Sequence, residues 1–162
     1  TEGANRTGRP FTGDASGEML FATLTKFGFV DGVFANAPAD GITLNGAIIL
    51  NAVKCLPPEN KPTGAEINNC RPYLAKALDG LPDLKIILAL GRIAHESIVR
   101  LSGAKLTDHK FVHGAKHELP DGRTLIDSYH CSRYNVNTRR LTVEMFEGVF
   151  EQAVYISSTN RP

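Results

Sequence analysis

The sequence predicts an α/β domain on a mostly parallel sheet, and two observations carry that prediction. Ala47–Val53 and Leu84–Leu90 are nearly continuous apolar runs with the length of strands covered on both faces. Each run precedes a segment with helix-start chemistry: a Thr63-Gly-Ala-Glu66 capping box after the first, and Gly91 leading into Ile93, Ile98 and Leu101 after the second. Strand, helix, strand, helix in that order implies right-handed crossovers and parallel neighbours. A chain of 162 residues holds one domain with a substantial core, so 1–162 reads as a single unit.

In chain order, residues 1–17 have loop composition, with four of the 15 glycines, the polar residues Asn5, Arg6, Arg9 and Asp14, and one large apolar residue, Phe11. Ser16 is placed to cap a helix in which Met19, Leu20, Thr23, Leu24 and Phe27 share one face, and Gly28 ends it. The Gly-Asp-Ala-Ser-Gly string around Ser16 is one residue too long for a serine-nucleophile turn. Residues 29–46 read as loop. Asn51 interrupts the first strand run, and a buried amide needs partners, so it is either a satisfied structural residue or a reader of hydrogen bonds at a strand end. The prolines of Lys54–Pro62 exclude regular structure, and the helix opened by Thr63 extends to about Leu78 with Pro72 as an interior defect. His109, His113 and His117 recur at the spacing of metal ligands on one helix face, but Gly114 breaks the run and Leu119-Pro-Asp-Gly-Arg123 is a turn, which favours a surface hairpin. Thr124–Tyr129 reads as a third strand, and Thr142 caps a last amphipathic helix carrying Val143, Phe146, Val149, Phe150 and Val154.

Composition narrows the function classes. Hydrophobic residues at 42% and charged residues at 22% are those of a globular domain, and no apolar run approaches the length of a membrane span. The 18 basic and 17 acidic residues give a net charge of +1, which argues neither for nor against nucleic acid. Arg6, Arg9, Lys54, Lys61, Arg133, Arg139 and Arg140 would form a phosphate-binding face if the fold gathered their loops; by charge alone the default is solvated surface. Three cysteines, an odd number, argue against a disulfide framework as the organising device and fit a reducing, cytoplasmic setting. The chain opens on Thr1 in a glycine-rich segment without an initiator Met, so further residues are expected upstream.

The richest stretch is Ser128-Tyr129-His130-Cys131-Ser132-Arg133-Tyr134-Asn135, which puts an imidazole, a thiol, a cation, two phenols and an amide into one strand end and loop. Reversing a chain needs none of that chemistry, and loops held by a rigid scaffold are where function concentrates.

Four strings then match one family in order: Gly-Ala-Asn-Arg-Thr-Gly-Arg-Pro-Phe-Thr-Gly-Asp at 3–14, Leu-Asn-Ala-Val-Lys-Cys at 50–55, the Pro-Pro segment running to Cys70, and Ser-Tyr-His-Cys-Ser-Arg at 128–133. Over nearly its whole length the chain resembles the uracil-DNA glycosylase superfamily, most closely its iron-sulfur B-type (fifth) family. The resemblance implies a three-layer αβα fold around a central, mostly parallel sheet. It also implies hydrolysis of the N-glycosidic bond of uracil, and in this branch of some deaminated bases such as hypoxanthine, leaving an abasic site in DNA. By position, Phe11 would stack on the extruded base and Asp14 would position water. Asn51 would read the base edge, and His130 would donate to the base oxygen that gains charge as the bond breaks. Arg133, Tyr134 and Asn135 would enter the DNA. Cys55 and Cys70 would ligate a structural four-iron, four-sulfur cluster with two cysteines expected upstream. The expected partner is DNA containing uracil or another deaminated base, met by a monomer at the prokaryotic nucleoid, with no membrane.

The chain departs from the family where Cys131 replaces the usual proline after the histidine, which removes a fixed φ from the loop. Two other readings follow: a damage-sensing module that keeps the pocket without turnover, and a Cys-His hydrolase using Cys131 beside His130. Neighbours on an extended strand point to opposite faces, which places that pair poorly.

Overall fold

The computed structural model describes residues 9–13, 15–37, 39–54 and 61–159. Asp14 and Cys55, both expected site residues, lie outside them.

The first helix, α1 (Ala15–Lys26), buries Leu20, Phe21 and Leu24. Ser16 lies inside its first turn rather than at the cap. A Schellman closure ends it: the Gly28 N–H donates to the Thr25 carbonyl at 3.0 Å and the Phe29 N–H to the Leu24 carbonyl at 2.8 Å. The segment read as loop contains a short antiparallel pair, β1 (Val30–Asp31) with β2 (Thr43–Leu44).

Residues 47–54 are the main correction to the sequence reading. They have no regular secondary structure and belong to neither sheet, and Ile48 is 54% exposed. An apolar run reports burial, but a strand also needs a neighbouring backbone. Here Ile49 packs toward α1, while Leu50 and Ala52 pack against a different cluster, so the run divides between two cores instead of pairing.

Helix α2 (Gly64–Asp79) has both halves of the Thr63–Glu66 capping box and continues through Pro72. Strand β3 (Ile86–Leu90) leads through Gly91 into α3 (Arg92–Leu101). Strands β4 (Lys116–Glu118) and β5 (Thr124–Ser128) form the expected hairpin. A short α4 (Arg133–Asn137), capped by Ser132, follows, and α5 (Val143–Thr159) closes the described chain with the Thr142 hydroxyl accepting from the Met145 N–H.

The larger sheet has the order β3-β5-β4 and is mixed: β3 and β5 are parallel from Ile86 opposite Thr124 to Leu90 opposite Ser128, and β4 is antiparallel to β5. Every residue of β5 is buried. Because side chains alternate along a strand, Leu125 packs with Leu74, Leu78, Ile98 and Val99 of α2 and α3, while Ile126 packs with Val149 and Ala153 of α5. Helices therefore bury both faces of β5, although only Leu125 and Ile126 of its five residues are apolar and Thr124, Asp127 and Ser128 are buried polar groups. No helix among the described residues is long and apolar enough to cross a membrane.

Candidate functional site

Parallel strands that end together place their following loops side by side, and ligands of open α/β sheets bind there. β3 and β5 end in register at Leu90 and Ser128, and the Gly91 N–H donates to the Ser128 carbonyl at 2.8 Å. Gly91 has φ of 100°, a conformation that side chains resist, and a Cβ there would sit 3.5 Å from the Cβ of His130. The two strand ends thus flank a cavity of about 440 Å³, lined by Gly91, Arg92, Phe111, Tyr129, His130, Asn135 and Arg140. Its two guanidinium groups lie over aromatic rings, Arg92 5.6 Å from Phe111 and Arg140 4.7 Å from Tyr129. Apolar walls and fixed cations suit a planar, electron-rich guest with an anionic attachment.

His130 is held from several directions. The side-chain amide of Asn135, one turn on, donates to the His130 carbonyl at 2.8 Å. The N–H of Tyr129 donates to His113 Nδ1 at 3.0 Å, so the His113 proton lies on Nε2, which donates to the Met145 carbonyl at 3.2 Å. Burial pushes the His113 pKa below its ordinary value, consistent with a neutral ring accepting that N–H. His113 also stacks on Tyr129, with centroids 5.0 Å apart. Cys131 faces the other way: it is 1% exposed within the core formed by α1 and α5, and its thiol meets the Ser16 carbonyl at 3.5 Å. That orientation separates it from the cavity and leaves the Cys-His hydrolase reading without a nucleophile.

Phe11 stacks on His130, with centroids 5.7 Å apart and 25° between the planes. The segment carrying it is pinned by groups far away in sequence. The Arg9 guanidinium donates to both carboxylate oxygens of Asp40 at 2.7 and 2.8 Å, to the Ala37 carbonyl and to Thr12 Oγ1. That pairing holds the Asp40 carboxyl well below the usual carboxylate range and raises the Arg9 pKa. The Gly13 N–H donates to Asn36 Oδ1, and Gly17 lets the Phe11 carbonyl approach so closely that a Cβ would lie 1.9 Å from it. Arg9, placed by sequence on a phosphate-binding face, is thus a structural cation.

The other expected residues are less concentrated. Asn51 is half-buried and does not line the cavity. Arg133 and Tyr134 project from α4, with Tyr134 72% exposed, and Arg139 and Arg140 are exposed beyond it. Cys70 is buried on α2, and its sulfur accepts the Lys54 N–H at 3.4 Å. The three evenly spaced histidines have different partners: His113 supports Tyr129, His117 lies in β4 and meets Asp127, and His109 holds a turn through Lys105 with its ring 5.6 Å from that of His117. Sequence reasoning missed Arg92, Phe111 and His113 as parts of the site. The only local signal for any of them was the repeated histidine spacing.

The model of the uracil DNA glycosylase superfamily matches residues 1–154. The chain belongs to the uracil-DNA glycosylase superfamily. It is 45% identical over 151 residues to the type-5 uracil-DNA glycosylase of Thermus thermophilus, covering 93% of this chain and 68% of that protein. It is 42% identical over 153 residues to the type-5 enzyme of Mycobacterium bovis, covering 93% and 57% respectively. A type-4 uracil-DNA glycosylase of Sulfurisphaera tokodaii is 29% identical over 159 residues, with 94% and 66% covered. The chain therefore spans between 57% and 68% of the length of these superfamily members.

Proposed function

We propose that this superfamily member removes uracil from DNA by hydrolysing the N-glycosidic bond. The observation that carries the reading is Phe11 stacked against His130 beside a cavity at the paired ends of β3 and β5. A base in a duplex is unreachable, so it must be swung out and held by stacking and hydrogen bonds. Phe11 provides an aromatic surface for that base, and His130 a ring donor at the cavity wall. As the bond breaks, negative charge collects on the departing base, and a donor fixed in place stabilises it without reorganising. The supports of His130 through Asn135, and of its neighbour Tyr129 through His113, provide that fixity. Asp14 would stabilise the cationic sugar and orient water, and Asn51 would read the base edge. Arg133 and Tyr134 stand exposed on α4, where they could fill the gap in the helix stack. Exposed Arg139 and Arg140 are suited to flanking phosphates.

The αβα arrangement around a parallel sheet belongs to this proposal, supported by helices on both faces of β5. Cys55 and Cys70 would supply two thiolates of the four that a four-iron, four-sulfur cluster needs. Cys70 fits that task in being buried and in receiving the Lys54 N–H, a type of contact that steadies cluster sulfurs. A cluster there would serve as a structural staple.

The test is incubation of the protein with single- and double-stranded oligonucleotides containing one uracil, scored for alkali-labile sites, with hypoxanthine as a second substrate. Uracil-dependent abasic sites are the expected result. Tight binding to uracil DNA without product would replace the enzyme with a damage sensor, and neither binding nor product would overturn both.

A further inference from the structure

We propose that His95, Asp127 and His117 form a binding site for one divalent metal ion of the zinc class, separate from the cavity at His130 and from the cysteines. The cluster joins three elements, with His95 on α3, Asp127 on β5 and His117 on β4. Their side chains are 1%, 0% and 11% exposed, and their ligand atoms all lie within 4.8 Å of one another.

The hydrogen-bond geometry fixes what the site requires. His95 Nε2 lies 2.8 Å from the His109 carbonyl, which can only accept, so the ring proton is on Nε2. In the neutral ring Nδ1 then presents a lone pair, and it points at Asp127 Oδ1 from 2.7 Å. Two lone pairs at that distance repel unless a positive centre lies between them, either a proton or a metal ion. The other carboxylate oxygen faces His117 Nε2 at 3.0 Å and accepts the Val112 N–H at 3.3 Å. One buried carboxylate thus bridges two imidazoles, and the His95 N–H bonded to a backbone carbonyl is the outer contact that orients metal-bound imidazoles.

Two imidazoles and a carboxylate are a common zinc donor set and leave one tetrahedral position for water. A cavity of about 310 Å³ lined by His95, His109 and Phe111 lies on the His95 side of the cluster, while Asp127 and His117 do not line it. Bonds of about 2.0–2.2 Å set tetrahedral donors about 3.4 Å apart, so a shared ion requires the 2.7 Å His95–Asp127 contact to open by roughly 0.7 Å and the donors, now within 4.8 Å of one another, to draw around it. His117, on the edge strand and the most exposed of the three, can supply its own part of that movement, and the opening of the 2.7 Å contact falls to His95 and Asp127. The bound ion would tie the hairpin to α3 just before the strand end that carries His130.

The experiment is a zinc titration of the whole chain after chelator treatment, against a competing chromophoric chelator. It is paired with zinc-edge X-ray absorption and repeated on His117→Ala and His117→Gln, the second keeping a donor to Asp127. Expected are one equivalent of zinc in a nitrogen and oxygen shell with imidazole scattering, and at least about tenfold weaker binding in both variants. At a hundredfold excess over Kd, zinc should raise the wild-type Tm by roughly 5–10 °C. No stoichiometric zinc, a sulfur-containing shell, or binding unchanged in the variants would overturn the site and leave a proton between His95 and Asp127. None of these readouts depends on glycosylase activity.

Discussion

At the scale of single residues, the positions that were legible in the sequence are those written in local strings. His130 and Phe11 stand inside motifs, and the structure brings their rings together. The roles that were not legible depend on partners remote in sequence: Arg9 pairs with Asp40, and His113 supports Tyr129 from across the hairpin. If His130 is the donor to the leaving base, His130→Ala should lower kcat for uracil excision by about 10²–10³ with stability nearly unchanged, compared under single-turnover conditions. His113→Ala leaves the Tyr129 N–H without its acceptor and should cost about 1–3 kcal/mol, read from urea denaturation. The same ring sets a pH dependence. Its folded pKa lies below the unfolded value of about 6.5, so near and below that pH the unfolded chain holds more protons. The stability it contributes is therefore complete above the unfolded pKa and lost as pH falls through the folded one. Denaturation midpoints should drop on acidification below about pH 6.5 in the wild type, and less in His113→Ala.

Among the elements, much of the capping was readable because it is local, although Ser16 falls inside α1 rather than at its cap. The Thr63–Glu66 box, the Thr142 cap and the β4–β5 hairpin all lie where turn and cap chemistry put them. Pairing was not readable: residues 47–53 are apolar enough for a strand but join neither sheet, because hydrophobicity does not specify a neighbouring backbone. The junction of β3 with α3 is the element most exposed to a single change. Gly91 holds φ at 100° while its N–H reaches the Ser128 carbonyl, so Gly91→Ala should cost about 1–3 kcal/mol in strain. A Cβ there meets the His130 Cβ at an ordinary contact distance of 3.5 Å, so loss of uracil excision should follow the lost stability, which comparing activity with Tm across a temperature series will check.

For the whole molecule, a net charge of +1 was uninformative until the fold distributed it. Arg9 is consumed internally, whereas Arg133, Arg139 and Arg140 are exposed in the segment that follows β5. If they meet phosphates, Arg133→Ala and Arg139→Ala should each lower the slope of log binding constant against log salt by about 1, weakening all sequences alike. The placement of Cys131 has a consequence for handling the protein. Its thiol is sealed between α1 and α5, so alkylating reagents reach it only when α1 lifts from the core. Mass-resolved labelling of Cys131 over time thus becomes a clock for that opening. DNA that clamps Phe11, carried on the segment leading into α1, should slow the clock.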